Sequence, residues 1–104
     1  MSTTINDGGL ATQDSSEVRV YTFDYDDNLA AGVELASVGT FVFTPATGLT
    51  QDNQALVAGG RSARLRISVA SSTYVGTTFR IENTVVTNES PSQTKSKWFK
   101  VKIT

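Results

Sequence analysis

"ARLRISVA", residues 63–70, alternates Leu65, Ile67 and Val69 with Arg64, Arg66 and Ser68. A two-residue period puts each set of side chains on its own face of an extended chain. The stretch therefore predicts a strand with one face in a core and the other in water. The period recurs on both sides of it. In "EVRVYTFDY" (17–25), Val18 and Val20 share one face and Arg19, Tyr21, Phe23 and Tyr25 the other. "VGTFVFT" (38–44) brings Phe41 and Phe43 together, and "TFRIENTVVT" (78–87) aligns Phe79, Ile81, Asn83 and Val85. "KWFKVKIT" (97–104) sets Phe99, Val101 and Ile103 against Trp98, Lys100 and Lys102. "TPATGLT" (44–50) and "LVAGGRSA" (56–63) read as turns, and "NESPSQTKSK" (88–97) as a hairpin loop in which Pro91 lacks a ladder donor. No segment of helical period competes. The expected fold is all-β: an immunoglobulin-like sandwich of about seven short antiparallel strands over residues 17–104, without the Cys-Trp-Cys core of antibody domains.

Residues 1–16, "MSTTINDGGLATQDSS", show no period of either kind and are expected as an extended N-terminal arm that docks on a partner. With no basic stretch and no apolar run, they do not read as a signal peptide. The 104 residues, 38% hydrophobic and 18% charged, suit one modest core. The absence of cysteine removes a disulfide framework, and the absence of histidine removes the usual zinc sites and histidine-based triads. No run reaches the length of a membrane span. No nucleophile motif and no phosphate-cradling glycine loop is present, so no enzyme and no cofactor is expected.

One stretch suggests a metal. In "FDYDDNLAAGVEL" (23–35), Asp24, Asp26 and Asn28 fill the first three ligand positions of a calcium loop. The template then fails twice, with Leu29 where the sharp turn needs glycine and Leu35 where a bidentate glutamate is needed. The expectation is a turn, with an opportunistic, weak cation site as the alternative.

Charge is strongly divided along the chain. Residues 1–60 carry eight acids and one base, a net of −7, and residues 61–104 carry two acids and eight bases, a net of +6. Cross-strand pairing within one subunit, head-to-tail contact in a homo-oligomeric ring, and a basic face for nucleic acid are the three readings. Nucleic acid is the weakest, because the aromatic residues follow core periodicity rather than interleaving with the bases. The residues expected to contact a partner are Asp14, Glu17, Arg64, Arg66, Lys97, Trp98 and Lys100. Trp98, off the inward set of its strand, is either a partner anchor or a cap over the sandwich edge. Asn83, among inward residues, is expected to satisfy buried backbone groups.

The ordered set "YTFDYDDNLAAGVEL", "TPATGLT", "AGG", "FRIENTVVT" and "WFKVKI", from about Val18 to Ile103, resembles a family of small phage-encoded, immunoglobulin-like fiber-tail adaptors. The resemblance implies structural roles for Phe23, Asp24, Tyr25, Leu29, Gly48, Leu49, Asn83 and Phe99, with Leu29 directed into the core. It also implies a non-enzymatic virion protein, assembled in the bacterial host cytoplasm, that joins a fiber or neighbouring ring to the tail or neck. The expected partners are then other virion proteins, with neither nucleic acid nor membrane among them. Related chains often carry a glycine-arginine turn before the final strand, where this one has "NESPSQTKSK". Two alternatives stand beside this reading: a capsid decoration protein, and a carbohydrate-binding sandwich using Tyr21, Tyr74 or Trp98 as an exposed platform.

Overall fold

In the computed structural model, which describes residues 2–104, eight strands succeed one another: β1 (Ser2–Thr4), β2 (Leu10–Gln13), β3 (Val18–Asp24), β4 (Thr40–Thr44), β5 (Leu49–Val57), β6 (Ser62–Val69), β7 (Thr78–Val86) and β8 (Thr94–Ile103). They form two four-stranded sheets, ordered β1-β3-β6-β5 and β2-β8-β7-β4. Helix is confined, among the described residues, to two short 3-10 turns, Asp26–Asn28 and Ser72–Tyr74. The chain is an all-β sandwich.

The alternation in β6 is realised as the period dictates. Ala63, Leu65 and Ile67 are wholly buried, while Arg64, Arg66 and Ser68 lie half-buried on the opposite face. β3 runs antiparallel beside it and sets Tyr21 opposite Leu65 and Phe23 opposite Ala63, so large residues meet smaller ones across the ladder. In the second sheet Phe79 faces Val101 and Ile81 faces Phe99. The Phe99 ring lies 4.9 Å from Tyr21 and 5.6 Å from Phe23, and Phe23 lies 5.8 Å from Phe41, so the two sheets interlock through their aromatic residues. Of these phenylalanines, Phe23 and Phe99 are fully buried, and each such side chain contributes about 1.5–3 kcal/mol.

The turns are equally determined. Gly48 has φ 121°, and a Cβ there would lie 2.7–2.8 Å from the rings of Phe79 and Tyr74. At Gly39, φ 74°, a Cβ would fall 2.0 Å from the Thr84 carbonyl oxygen. Neither site admits a side chain.

Three features depart from the sequence expectation. There are eight strands, not about seven, and they are not all antiparallel: β1 pairs parallel with β3, and β2 pairs parallel with β8. The residues expected as an arm thus enter both sheets, with Met1 outside the described residues. Ile5 joins the core and Gln13 is 1% exposed. A parallel edge strand of three or four residues leaves no periodic apolar signal, because one edge and one face stay in water. The third departure is β5, which begins inside the stretch read as a turn and carries mostly exposed polar side chains. It is an edge strand with a bulge between Asp52 and Ala55, so alternation is absent from its sequence.

Candidate partner-contact surface

The acidic stretch after β3 is a turn, and its centre is filled by the side chain of Arg61. That guanidinium ion-pairs with the Asp26 carboxylate and donates to the carbonyls of Asp26 (3.0 Å), Leu29 (3.1 Å), Ala30 (3.2 Å) and Val33 (2.6 Å). Asp24 Oδ1 accepts from the Asp26 N–H at 2.9 Å and from Ser62 Oγ at 3.1 Å. One planar cation with five donors therefore organises a loop that a metal ion would organise through carboxylates. Leu29 closes the turn with its side chain in the core.

Inside the fold, Asn83 has every polar group engaged. Its Nδ2 donates to the carbonyls of Val38 (3.0 Å) and Thr40 (3.1 Å), and its carbonyl oxygens, side chain and main chain, accept from the Tyr25 hydroxyl at 2.9 and 3.0 Å. Burial pushes the Tyr25 phenol well above its ordinary range, so it stays a donor. Gln13 plays a matching part that the sequence did not signal. Its Nε2 donates to the carbonyls of Glu17 (2.9 Å) and Ile67 (3.1 Å), and its Oε1 accepts from the Tyr21 hydroxyl at 2.8 Å, binding β2 of one sheet to the other.

The seven residues expected to contact a partner occupy separate places. Asp14 and Glu17 lie in the β2–β3 turn. There Asp14 accepts from the Ser16 N–H (2.8 Å) and hydroxyl (2.6 Å), which hold its carboxyl below the usual range, and Glu17 forks onto Arg19. Arg64 and Arg66 are on the outer face of the first sheet. Arg66 grips Asp52 through two bonds of 2.8 and 2.7 Å, and this lowers the Asp52 carboxyl. Both arginines border an open groove of about 420 Å³, shared with Val20, Asn53, Gln54 and Ala55. Lys97 has the inward parity, and its ammonium sits 5.5 Å over the Tyr25 ring. Trp98 and Lys100 are on the outer face of the second sheet, the opposite side of the sandwich from Arg64 and Arg66. A single basic face is not formed.

The second sheet's outer face is the better built of the two. The Arg80 guanidinium lies 4.6 Å over the Trp98 indole and 3.6 Å from Glu82. The turn before β2 packs beneath the indole: the Gly8 N–H donates to the Trp98 carbonyl at 2.7 Å, and the Trp98 N–H donates to Asp7 Oδ1 at 3.0 Å. Trp98 is thus half-buried, capped by Arg80 and by the N-terminal segment. Lys100 and Lys102 stand exposed beside it, and Leu10 is 68% exposed at the rim. Leu10 was hidden in the supposed arm, and only the β2–β8 register places it here, opposite Lys100.

The charge division is partly absorbed within the chain, because Arg61–Asp26 and Arg66–Asp52 each join the basic half to the acidic half. The aromatic platform needed for sugar is not assembled. Tyr21 is wholly buried with its hydroxyl on Gln13, and Tyr74 packs toward Phe79 at 6.2 Å between centroids, away from Trp98.

No curated protein matches the chain. A sequence-family model described as podophage GP4 fiber-tail adaptor protein gp77 matches residues 13–101, from the end of β2 to the penultimate turn of alternation in β8. The matched span contains β3 to β7 whole and β8 up to Val101, and the chain belongs to the podophage GP4 fiber-tail adaptor protein gp77 family.

Proposed function

We propose that the chain is a non-catalytic virion subunit, assembled in the host cytoplasm, that joins a fiber or a neighbouring ring to the tail or neck. The observation that carries this reading is the separation of two unlike surfaces. A connector must hold two different neighbours at once. Here the arginine-lined groove and the Trp98–Lys100 face lie on opposite sides of one rigid sandwich. The groove, with Arg64 free of a carboxylate partner among the described residues, suits an acidic segment. The other face, an aromatic–arginine anchor with exposed lysines and Leu10 around it, has the composition of a protein-docking patch. The strand order β1-β3-β6-β5 opposite β8-β7-β4 supports an immunoglobulin-like reading of the scaffold, with β2 added beside β8.

Two paired variants test the reading: Arg64→Glu with Arg66→Glu, and Trp98→Ala with Lys100→Glu. Both are expected to stay folded, because all four side chains lie on outer faces, and each is expected to lose a different neighbour in particles assembled with the variant chain. Loss of the same neighbour by both, or of none by either, would sink the proposal. Quantitative mass spectrometry of particles separates the tail from the decoration reading. A copy number tied to the portal supports the adaptor, and one tracking the major capsid protein supports decoration.

A further inference from the structure

The sandwich has four sheet edges, and they are not alike. β1 and β2 are strands of three and four residues flanking the N-terminal crossing between sheets. β5 carries the charge of Asp52 and a bulge in which Asn53 takes φ 54°, both devices that discourage strand addition. β4, Thr40-Phe41-Val42-Phe43-Thr44, has none of these. It holds no charge, no bulge and no internal glycine or proline, and pairs only with β7.

Its sequence also reads the same in both directions. An antiparallel partner of identical sequence, centred on Val42, sets Thr40 opposite Thr44, Phe41 opposite Phe43, and Val42 opposite its own copy. The register preserves facing. Thr40, Val42 and Thr44, which share the outer face with Glu82 and Arg80, meet their counterparts, and the half-buried phenylalanines meet each other. A slip of one residue would turn every side chain to the wrong face, so this pairing is specified against its neighbours. Aromatic, threonine and β-branched pairs are the cross-strand combinations that favour a ladder. Val42, 53% exposed in one copy, would be covered at the axis.

We propose that β4 is a self-pairing edge: two copies join through antiparallel β4–β4 contact centred on Val42, continuing the second sheet across a two-fold axis. The contact is isologous and closes at two copies, and it stands independently of the fiber-tail role. Val42→Lys is the disruptive variant. Within its own chain the new ammonium faces Glu82, the cross-strand partner of Val42, so the fold is retained, while two like charges oppose each other across the axis.

Sedimentation velocity over a concentration series is expected to show a monomer–dimer equilibrium for the wild-type chain and monomer alone for Val42→Lys, with an unchanged circular dichroism spectrum. Since the chain has no cysteine, Val42→Cys provides a second readout that tolerates failure of the first. Directly opposed strand residues lie within disulfide reach. Treated with oxidised glutathione, Val42→Cys should form a disulfide-linked dimer about tenfold faster than Leu10→Cys, whose thiols, at a position more exposed than Val42, would meet only by diffusion. Three results overturn the proposal: wild-type monomer throughout the series, an oligomer that a folded Val42→Lys leaves intact, or equal cross-linking rates at the two cysteine positions.

Discussion

Arg61 shows how much one side chain can decide. Its guanidinium meets one carboxylate and four carbonyls, an arrangement that no lysine reproduces with a single ammonium. Arg61→Ala and Arg61→Lys are both expected to speed amide exchange across residues 29–34, with the lysine giving little rescue. Protection as strong as in wild type for either variant would contradict this account. Tyr25→Phe removes the hydroxyl donated to Asn83 and should cost about 1 kcal/mol in urea unfolding, whereas Asn83→Leu strands the Val38 and Thr40 carbonyls, leaves the Tyr25 hydroxyl only the main-chain oxygen of residue 83, and should cost more. The role of Asn83 was legible because an amide amid inward apolar residues must find partners. The roles of Arg61 and Gln13 were not. Both rely on main-chain carbonyls of distant segments, Ile67 for Gln13 and residues 26–33 for Arg61, which have no signature in sequence.

At the level of strands, Ile67→Asp places an unpaired charge at a wholly buried position and should abolish cooperative unfolding, as read from a melting curve. An unaltered transition would mean that the facing of β6 is mistaken. Deleting residues 2–13 should lower the urea midpoint markedly, since Ile5 leaves the core and the Gln13 bonds between sheets disappear, whereas removal of a free arm would leave the midpoint in place. The inner strands were readable in advance because each buries one face, which forces a two-residue period on the sequence. β1, β2 and β5 were not, because these edge strands are short or mostly exposed and are held by backbone ladders that any side chain permits. The proposed contact surface was readable only in fragments for the same reason. Trp98 and Lys100 were named from their strand, but Leu10 and Arg80 join them through registers that alternation alone does not fix.

Taken whole, the molecule responds to pH through its buried phenols. Desolvation raises both Tyr21 and Tyr25, so the folded state keeps protons that the unfolded chain begins to release near pH 10. Stability is therefore unaffected by these groups below that pH and falls as pH rises through it, so the melting temperature should drop on the alkaline side, with tyrosinate absorbance from these residues appearing at higher pH than from exposed phenols. Asp14 and Asp52 act in the opposite limb: their lowered carboxyls favour the fold at neutral pH, and that small, solvent-screened contribution is lost as pH falls through the acid range. The parallel pairing of β2 with β8 has a mechanical consequence. The sandwich is elongated, 45 × 24 × 20 Å, and β8, the last strand, is laddered to the early strand β2 with both running the same way. Tension applied between the chain ends slides these strands past one another, so the load falls on all the rungs together instead of opening them one by one. In the connecting role proposed above, such a joint would be clamped against pulling by the same short N-terminal strand that, in the sequence, looked like a loose end.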